Sequence, residues 1–402
     1  MRLITHIKAS NLLSFGFVQR LDLDLHDLNV LIGPNGSGKS NFLEIFELLK
    51  SLPRNEEDSN NLKQVISKGG GSSEWVCKVP YRNSKGEGIP FATIETEVQD
   101  NVLLKENYLK HKFTIEFSRK NSSSAIYDEI ICEKTIDSDR DFIYYNKKND
   151  ISVPSIWNEK DEEMLSLNDD NYSLSILSQR YVNTGIFVLA HAYEKIRLYR
   201  EWSFGRNTIF RTPQRADLRN DRLESDFSNL GMFLSRLRKD PVTKRALVTA
   251  LQDLYEGLTD FEIVTEGGSV QIFFTEGDFS VPATRLSDGS LRYLCLLALL
   301  LDPTPPPLIC IEEPELGLHP DLLPKIADLL VEASTRTQLI VTTHSDVLID
   351  ALSEQPESVL VCEKHEGQTH INRLDRDDIA HWLKDYRLGQ LWTRGEIGGT
   401  RW

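Results

Sequence analysis

Leu28-Asn29-Val30-Leu31-Ile32-Gly33-Pro34-Asn35-Gly36-Ser37-Gly38-Lys39-Ser40 is the stretch that decides the fold. A mostly apolar, strand-like run ends in a turn that satisfies G-x-x-x-x-G-K-[ST] at every fixed position. Beyond it Phe42, Ile45, Phe46 and Leu49 recur at helical spacing, so the turn joins a strand to a helix. Phosphate binding needs that context. Glycines let successive backbone N–H groups face phosphate oxygens, and a helix N-terminus adds the positive end of its dipole. Gly33, Pro34, Asn35, Gly36, Ser37, Gly38, Lys39 and Ser40 are therefore expected to hold ATP. Lys39 would reach the β- and γ-phosphates, and the Ser40 hydroxyl would ligate Mg2+. An accidental match in a chain of this length has odds of about one in a hundred from average residue frequencies.

A second apolar strand, Leu308-Ile309-Cys310-Ile311, runs into two acids, Glu312 and Glu313. Ligands of open α/β sheets gather at the carboxyl ends of strands. A Walker B pair is expected there, with Glu312 completing the magnesium site and Glu313 polarising the attacking water. The bland alternative is a charged loop after a core strand. Upstream, Leu286-Ser287-Asp288-Gly289-Ser290 precedes an apolar helix from about Leu291 to Leu301. Ser-Asp-Gly is ordinary turn chemistry, but at a helix N-terminus Ser287 and Gly289 offer a second phosphate-facing surface. A third strand, Gln338-Leu339-Ile340-Val341, leads through Thr342 and Thr343 to His344. A histidine after a strand is commonly structural. This one follows the acids at a strand-helix-strand distance and is expected near the γ-phosphate.

The expected fold class is α/β: an ATPase head with a mixed or parallel sheet carrying the P-loop, plus an inserted β-meander and a helical lobe. Residues 1–50 and 281–402 would form the discontinuous head, 51–170 an insert with an antiparallel meander, and 171–280 a helical, arginine-rich lobe. Alternation from Phe91 to Val98 and from Lys112 to Phe117 predicts the meander. Leu230, Phe233, Leu234 and Leu237 share one helical face in the lobe. No heptad pattern is sustained enough for a coiled-coil arm.

The 402 residues are 40% hydrophobic and 27% charged, an ordinary soluble composition. No secretory segment opens the chain, and the apolar run Leu294–Leu301 falls far short of the ~18 residues of a membrane span. A cytoplasmic protein without a membrane partner is expected. Cys77, Cys132, Cys295, Cys310 and Cys362 form no Cys-x-x-Cys pair, which argues against zinc and a disulfide framework. The net charge of -15 excludes indiscriminate nucleic-acid binding over the whole surface but permits a local basic face. Lys195, Arg197, Arg200, Arg206, Arg211, Arg215, Arg219 and Arg222, with Trp202 and Phe204 interleaved, could be that face and contact DNA or RNA. Internal ion pairing is the alternative, because arginine also serves interface ion pairs. The tail from Leu391 to Trp402 holds two tryptophans and two arginines; it could dock a partner or fold back on its own domain.

Together the motifs resemble the ABC-type ATPase heads of the structural-maintenance-of-chromosomes (SMC), RecF and OLD families. The signature reads Leu286-Ser287-Asp288-Gly289-Ser290, Walker B reads Ile311-Glu312-Glu313-Pro314-Glu315, and the switch histidine is His344. Glu315-Leu316-Gly317-Leu318-His319-Pro320 looks like the D-loop segment of OLD- and RecF-like ATPases. The match covers about residues 1–50 and 281–362. The first Walker B acid of the family is usually aspartate, whereas Glu312 is one methylene longer. For the family's Q-loop glutamine, Gln64 and Gln99 are the candidates.

The resemblance implies a homodimer, or a higher homo-oligomer, with ATP between the P-loop of one copy and Ser287 and Gly289 of the other. It further implies a nucleotide-gated clamp in DNA repair or antiphage defence. Too little chain follows His344 for a toprim nuclease domain, so a separately encoded effector such as a toprim-like nuclease is expected. An ATP-dependent scaffold or sensor, with slow hydrolysis and no direct nucleic-acid binding, is the competing reading. A transporter subunit fits poorly, because the long stretch between P-loop and signature would be foreign to it.

Overall fold

The computed structural model describes residues 2–79, 89–99, 107–117, 124–134, 141–148, 155–158, 163–166, 174–179, 184–202, 205, 208, 211–254 and 257–399. The chain divides into two compact units. One, the P-loop unit, comprises Arg2–Ile196, Leu360–Arg373 and Gly398–Trp402. The other, the Walker B unit, is built from Arg197–Val359 and Leu374–Ile397.

The P-loop unit opens with β1 (Ile4–Ser10), β2 (Leu21–Asp24), β3 (Leu28–Ile32), α1 (Lys39–Ser51), α2 (Leu62–Lys68) and the short α3 (Ser72–Trp75). It continues through β4 (Phe91–Val98), β5 (Tyr108–Phe117), β6 (Ser124–Lys134), β7 (Phe142–Lys147), β8 (Ser155–Asn158), β9 (Glu163–Ser166) and α4 (Thr184–Glu194). The strands β2-β1-β4-β5-β6-β7-β8-β9 make one sheet with antiparallel neighbours. The meander anticipated from alternation is therefore continuous with the chain's first two strands. β4 buries Ala92, Ile94, Thr96 and Val98 and turns the intervening residues outward, as a pleated strand with one covered face should.

A polar chain crosses the buried side of this sheet. The Tyr193 hydroxyl on α4 lies 2.6 Å from Thr96 Oγ1 and 3.1 Å from His111 Nδ1. His111 Nε2 is 3.0 Å from Glu129 Oε1, and Ser175 and the Ile176 N–H also donate to the Glu129 carboxylate. Glu129 is 1% exposed, and a buried carboxylate is tolerated because its oxygens are this well supplied with donors.

The Walker B unit contains β10 (Arg197–Tyr199), β11 (Gln214–Arg215), α5 (Leu230–Leu237), α6 (Pro241–Gln252), β12 (Leu258–Glu266), β13 (Ser269–Glu276), β14 (Phe279–Pro282) and α7 (Asp288–Leu300). Then follow β15 (Leu308–Glu312), α8 (Leu323–Ser334), β16 (Gln338–Thr342) and α9 (Asp346–Ala351). β10, β15 and β16 pair in parallel, and β16 is buried at every position. That is the pattern of strands covered on both faces. β17 (Val359–His365) and β18 (Gln368–Arg373) form an antiparallel hairpin that lies beside β3 in sheet order. The short α10 (Arg376–Ile379) and α11 (Leu388–Arg394) follow.

Three features depart from the sequence reading. Residues 258–280, inside the stretch expected to be helical, fold with Val281 and Pro282 as the antiparallel strands β12–β14, with α5 and α6 packed on β12. Their Thr, Val, Ile and Phe content and the Gly267-Gly268 turn are strand and hairpin signals. Three-residue β10 was not anticipated at all. Finally, the helix expected near Asp377–Tyr386 is one turn long, and α11 follows it: Leu388, Leu391 and Trp392 are buried and α11 packs on α9, so this part of the tail folds back. Arg401 and Trp402 lie outside the described residues. Among the described residues no helix is long and apolar enough to cross a membrane.

Candidate functional site

In the P-loop unit the fully buried β3 delivers the chain into Gly33, and α1 begins at Lys39 after Gly38. Gly33, Gly36 and Gly38 have φ of 147°, 77° and 105°, backbone that side chains rarely adopt. Space matters as well. A Cβ on Gly33 would stand 2.2 Å from the Cys362 carbonyl oxygen, and one on Gly38 2.0 Å from Thr369 Oγ1. β17 and β18 thus press the loop into shape. The Thr369 hydroxyl sits 2.8 Å from the Ser37 carbonyl oxygen and 2.7 Å from Ser14 Oγ, which also accepts from Asn41 Nδ2 at 2.8 Å.

Lys39 is 6% exposed, and its Nζ donates to the carbonyls of Gly33 at 2.8 Å and Pro34 at 3.1 Å. A buried hydroxyl, Ser37 Oγ, has no hydrogen-bond partner among the described residues. An ammonium held by the loop's own carbonyls, an idle hydroxyl donor and a turn that admits no Cβ at Gly33 or Gly38 are a set that fits a polyphosphate. Ser40 is exposed, with its hydroxyl the hard oxygen ligand that Mg2+ prefers. Cys362 behind the loop is no nucleophile, because burial pushes its thiol up to about 12. Gln64 accepts from the Asn60 N–H at 2.8 Å and Gln99 extends β4 by a backbone bond to Leu3, so both serve local structure.

In the Walker B unit Glu312 ends β15, in register with Thr342 of β16. Its Oε2 accepts from Arg200 Nε at 2.8 Å, and its backbone carbonyl accepts from Trp202 Nε1 at 2.8 Å. Glu313 stands in left-handed backbone at φ 47°, which costs a non-glycine residue about 1–2 kcal/mol. Three contacts hold it there. Its N–H donates to the Thr342 carbonyl at 3.0 Å, its own carbonyl accepts from Arg292 Nη2 at 2.6 Å, and its Oε1 lies 3.4 Å from His344 Nε2. Strain of this kind persists where the surroundings over-determine it, and it concentrates at functional sites.

Two further groups complete the arrangement. Arg292 stacks its guanidinium 4.2 Å above the Trp202 ring, and burial lowers its pKa to about 10, leaving it charged at neutral pH. Glu315 accepts the His344 backbone N–H at 2.6 Å through Oε1, while burial pushes its carboxyl above the ordinary value.

The signature turn lies in the same unit. Ser287 caps α7 by accepting the Ser290 N–H at 3.1 Å. A Cβ on Gly289 would approach the Gly317 carbonyl oxygen to 2.7 Å, so glycine is required where the D-loop meets the turn. Arg211 fixes the turn from outside: it donates to Asp288 Oδ1 at 2.6 Å, to the Thr284 carbonyl at 2.6 Å and to the Gly205 carbonyl at 3.1 Å.

The structure thus brings Glu313 and His344 together, and it sets Gly289 against Gly317. In the arginine-rich segment several of the cations are buried or paired with carboxylates. Arg197 is 8% exposed, Arg200 is paired with Glu312 and Arg211 with Asp288. Arg215 and Arg219 pair with Asp217 and Asp221, which neutralises much of their local field. Arg206 and Phe204 lie outside the described residues. The sequence reading placed Arg200 and Trp202 on a possible nucleic-acid face rather than beside Glu312, and it did not name Arg292. No local signal pointed there: β10 is three residues long and itself contains Arg197.

Comparison with solved structures gives the fold a parallel. An SMC head bound to the C-winged helix domain of ScpA superposes with a TM-score of 0.54 at 14% identity, covering 94% of this chain and 99% of that one. An SMC head domain with an extended coiled coil, bound to the C-terminal domain of ScpA derived from Pyrococcus furiosus, gives 0.53 at 12% identity, covering 96% and 99%. The chain has the α/β fold of these ATPase heads. No curated protein matches it in sequence. A family profile does, over residues 28–350, which include the P-loop, the signature turn, the Walker B acids and His344. The chain belongs to the family of P-loop ATPases described as "AAA domain, putative AbiEii toxin, Type IV TA system".

Proposed function

We propose that the chain is a magnesium-dependent ATPase of the RecF/OLD-like kind that works as a nucleotide-gated homodimer on a separately encoded effector, in DNA repair or antiphage defence. The observation that carries the reading is Glu313: an acid held in strained backbone by Thr342 and Arg292, with its carboxylate beside His344. In this reading Gly33–Ser40 bind the triphosphate and Lys39 neutralises its β- and γ-oxygens. Ser40 and Glu312 hold Mg2+, which when bound offsets the phosphate charge. Glu313 orients and polarises the attacking water, and His344 hydrogen-bonds the γ-phosphate. Ser287 and Gly289 act on the ATP of the partner copy, so two nucleotides are enclosed and hydrolysis releases the contact. SMC heads of this fold bind a separate polypeptide, ScpA, which supports the same arrangement with a toprim-like nuclease or other effector here.

The ion pairs of the arginine-rich segment favour the competing reading on one point, that the chain has no direct contact with DNA or RNA through these residues. The test is light scattering on Glu313→Gln with and without ATP and Mg2+. A doubling of mass only with ATP supports the gated dimer. A mass already well above a dimer without ATP replaces it with a constitutive scaffold, and a monomer under both conditions refutes the gated dimer.

A further inference from the structure

Arg200 and Glu312 meet because of strand register. Parallel pairing runs Arg197 with Ile309, Leu198 with Cys310 and Tyr199 with Ile311, so the next position on each strand places Arg200 opposite Glu312. Tyr199 anchors the end of β10 by donating to the Leu223 carbonyl at 2.9 Å. Two residues on, Trp202 Nε1 fixes the Glu312 carbonyl at 2.8 Å, under the stacked guanidinium of Arg292. Glu312 is gripped at its carboxylate and its backbone by one segment of three residues.

We infer that Arg200 is a positioning residue for magnesium: its guanidinium braces the Glu312 carboxylate and lets a glutamate serve where the shorter aspartate would need no brace. This rests on the reading of Glu312 as a metal ligand. A glutamate carries one more rotatable bond than an aspartate, and that freedom is lost when a cation is bound. Fixing the side chain beforehand removes most of this cost. A carboxylate has about four lone-pair sites, so the N–H from Arg200 to Oε2 is compatible with a cation on the same group. Outer partners of metal-binding carboxylates typically carry about 10–100-fold of metal affinity. The opposite role, an arginine occupying the cation's own place, predicts a change of opposite sign.

The experiment titrates Mg2+ against binding of a fluorescent ATP analogue to the full chain. Arg200→Ala should raise the Mg2+ needed for half-maximal binding about tenfold, with nucleotide affinity in EDTA unchanged, a split that a merely structural defect would not give. In a Glu312→Asp background the same substitution should cost less than about threefold, since the shorter acid needs no brace. An unchanged or lower Mg2+ requirement, or an equal loss in both backgrounds, overturns the inference. Glu312→Ala separates the two layers: if it leaves the Mg2+ requirement untouched, the metal assignment itself fails. Should Arg200→Ala not fold, Arg200→Lys carries the test. A rise of about threefold supports the brace, and none overturns it.

Discussion

Replacing Glu313 by glutamine should separate ATP binding from ATP hydrolysis. The main chain of Glu313 is fixed by the Thr342 carbonyl and by Arg292 Nη2, and neither contact uses the carboxylate. Glutamine has nearly the same size, and its side-chain oxygen can still accept from His344, 3.4 Å away in the parent. Folding stability should therefore move by no more than about 0.5 kcal/mol. What glutamine cannot do is take a proton from water. A positioned general base contributes about 10²–10⁴-fold, which is about 2.7–5.5 kcal/mol of barrier. Single-turnover phosphate release should fall by that factor while ATP affinity stays within about threefold. Turnover at the parental rate would refute the water-polarising role. Loss of ATP binding would refute the claim that the backbone is held independently of the side chain. The backbone strain can be read separately. At φ 47° glycine escapes a cost of about 1–2 kcal/mol and forfeits about 0.5–1 kcal/mol through unfolded-chain entropy. Glu313→Gly should thus be at least as stable as Glu313→Ala, reversing the usual order. An alanine variant clearly more stable than the glycine one would show that the left-handed backbone is not strained.

Lys39→Ala removes the buried ammonium of the P-loop and should weaken ATP binding about 10–100-fold, because charge-assisted hydrogen bonds contribute about 1.5–3 kcal/mol; equilibrium binding of labelled ATP checks it. Gly289→Ala sets a Cβ 2.7 Å from the Gly317 carbonyl, backbone against backbone, so ATP-dependent dimerisation should fail in light scattering while each copy still binds ATP. Glu129→Ala leaves His111 Nε2, Ser175 and the Ile176 N–H without their acceptor, and urea unfolding should register a loss of about 3–5 kcal/mol. Burial raises the Glu315 pKa, so the folded state holds its proton longer than the unfolded chain does, and stability falls as pH rises above the ordinary 4.5 towards the raised value. Glu315→Gln should therefore raise the melting temperature at neutral pH and leave it unchanged below pH 4.5; an equal effect at both would deny the raised pKa.

The sequence made the local structure legible where a motif constrains the backbone. Gly33 and Gly38 can be read from their spacing alone, because no other residue fits against Cys362 and Thr369. Glu312, Glu313 and His344 follow apolar strands whose burial is written in their composition. Ser14 and Thr369 could not be found this way: they reach the P-loop from opposite ends of the chain, and nothing in either local sequence names the partner. Nor could the three-residue β10, which is too short for periodicity to register and exists through pairing with β15. The antiparallel strands β12–β14 were masked by the helical faces before them, a case of neighbouring pattern overriding local strand propensity.

The arginine-rich segment illustrates a limit of counting charge along a chain. Its eight cations lie close together in sequence, but Arg200 and Arg211 answer carboxylates 112 and 77 positions away, Glu312 and Asp288. For Arg200 the reason lies in the acids it meets. Glu312, Glu313 and Glu315 put three acids into four residues, with the Glu315 side chain largely buried. Like charges so close repel, and in a partly desolvated site the repulsion is poorly screened. Arg200 on Glu312, and Arg292 between Glu313 and Glu315, supply opposite charge from two different elements. An overall charge of -15 is compatible with a local balance around Glu312, Glu313 and Glu315 that is set by arginines distant in sequence.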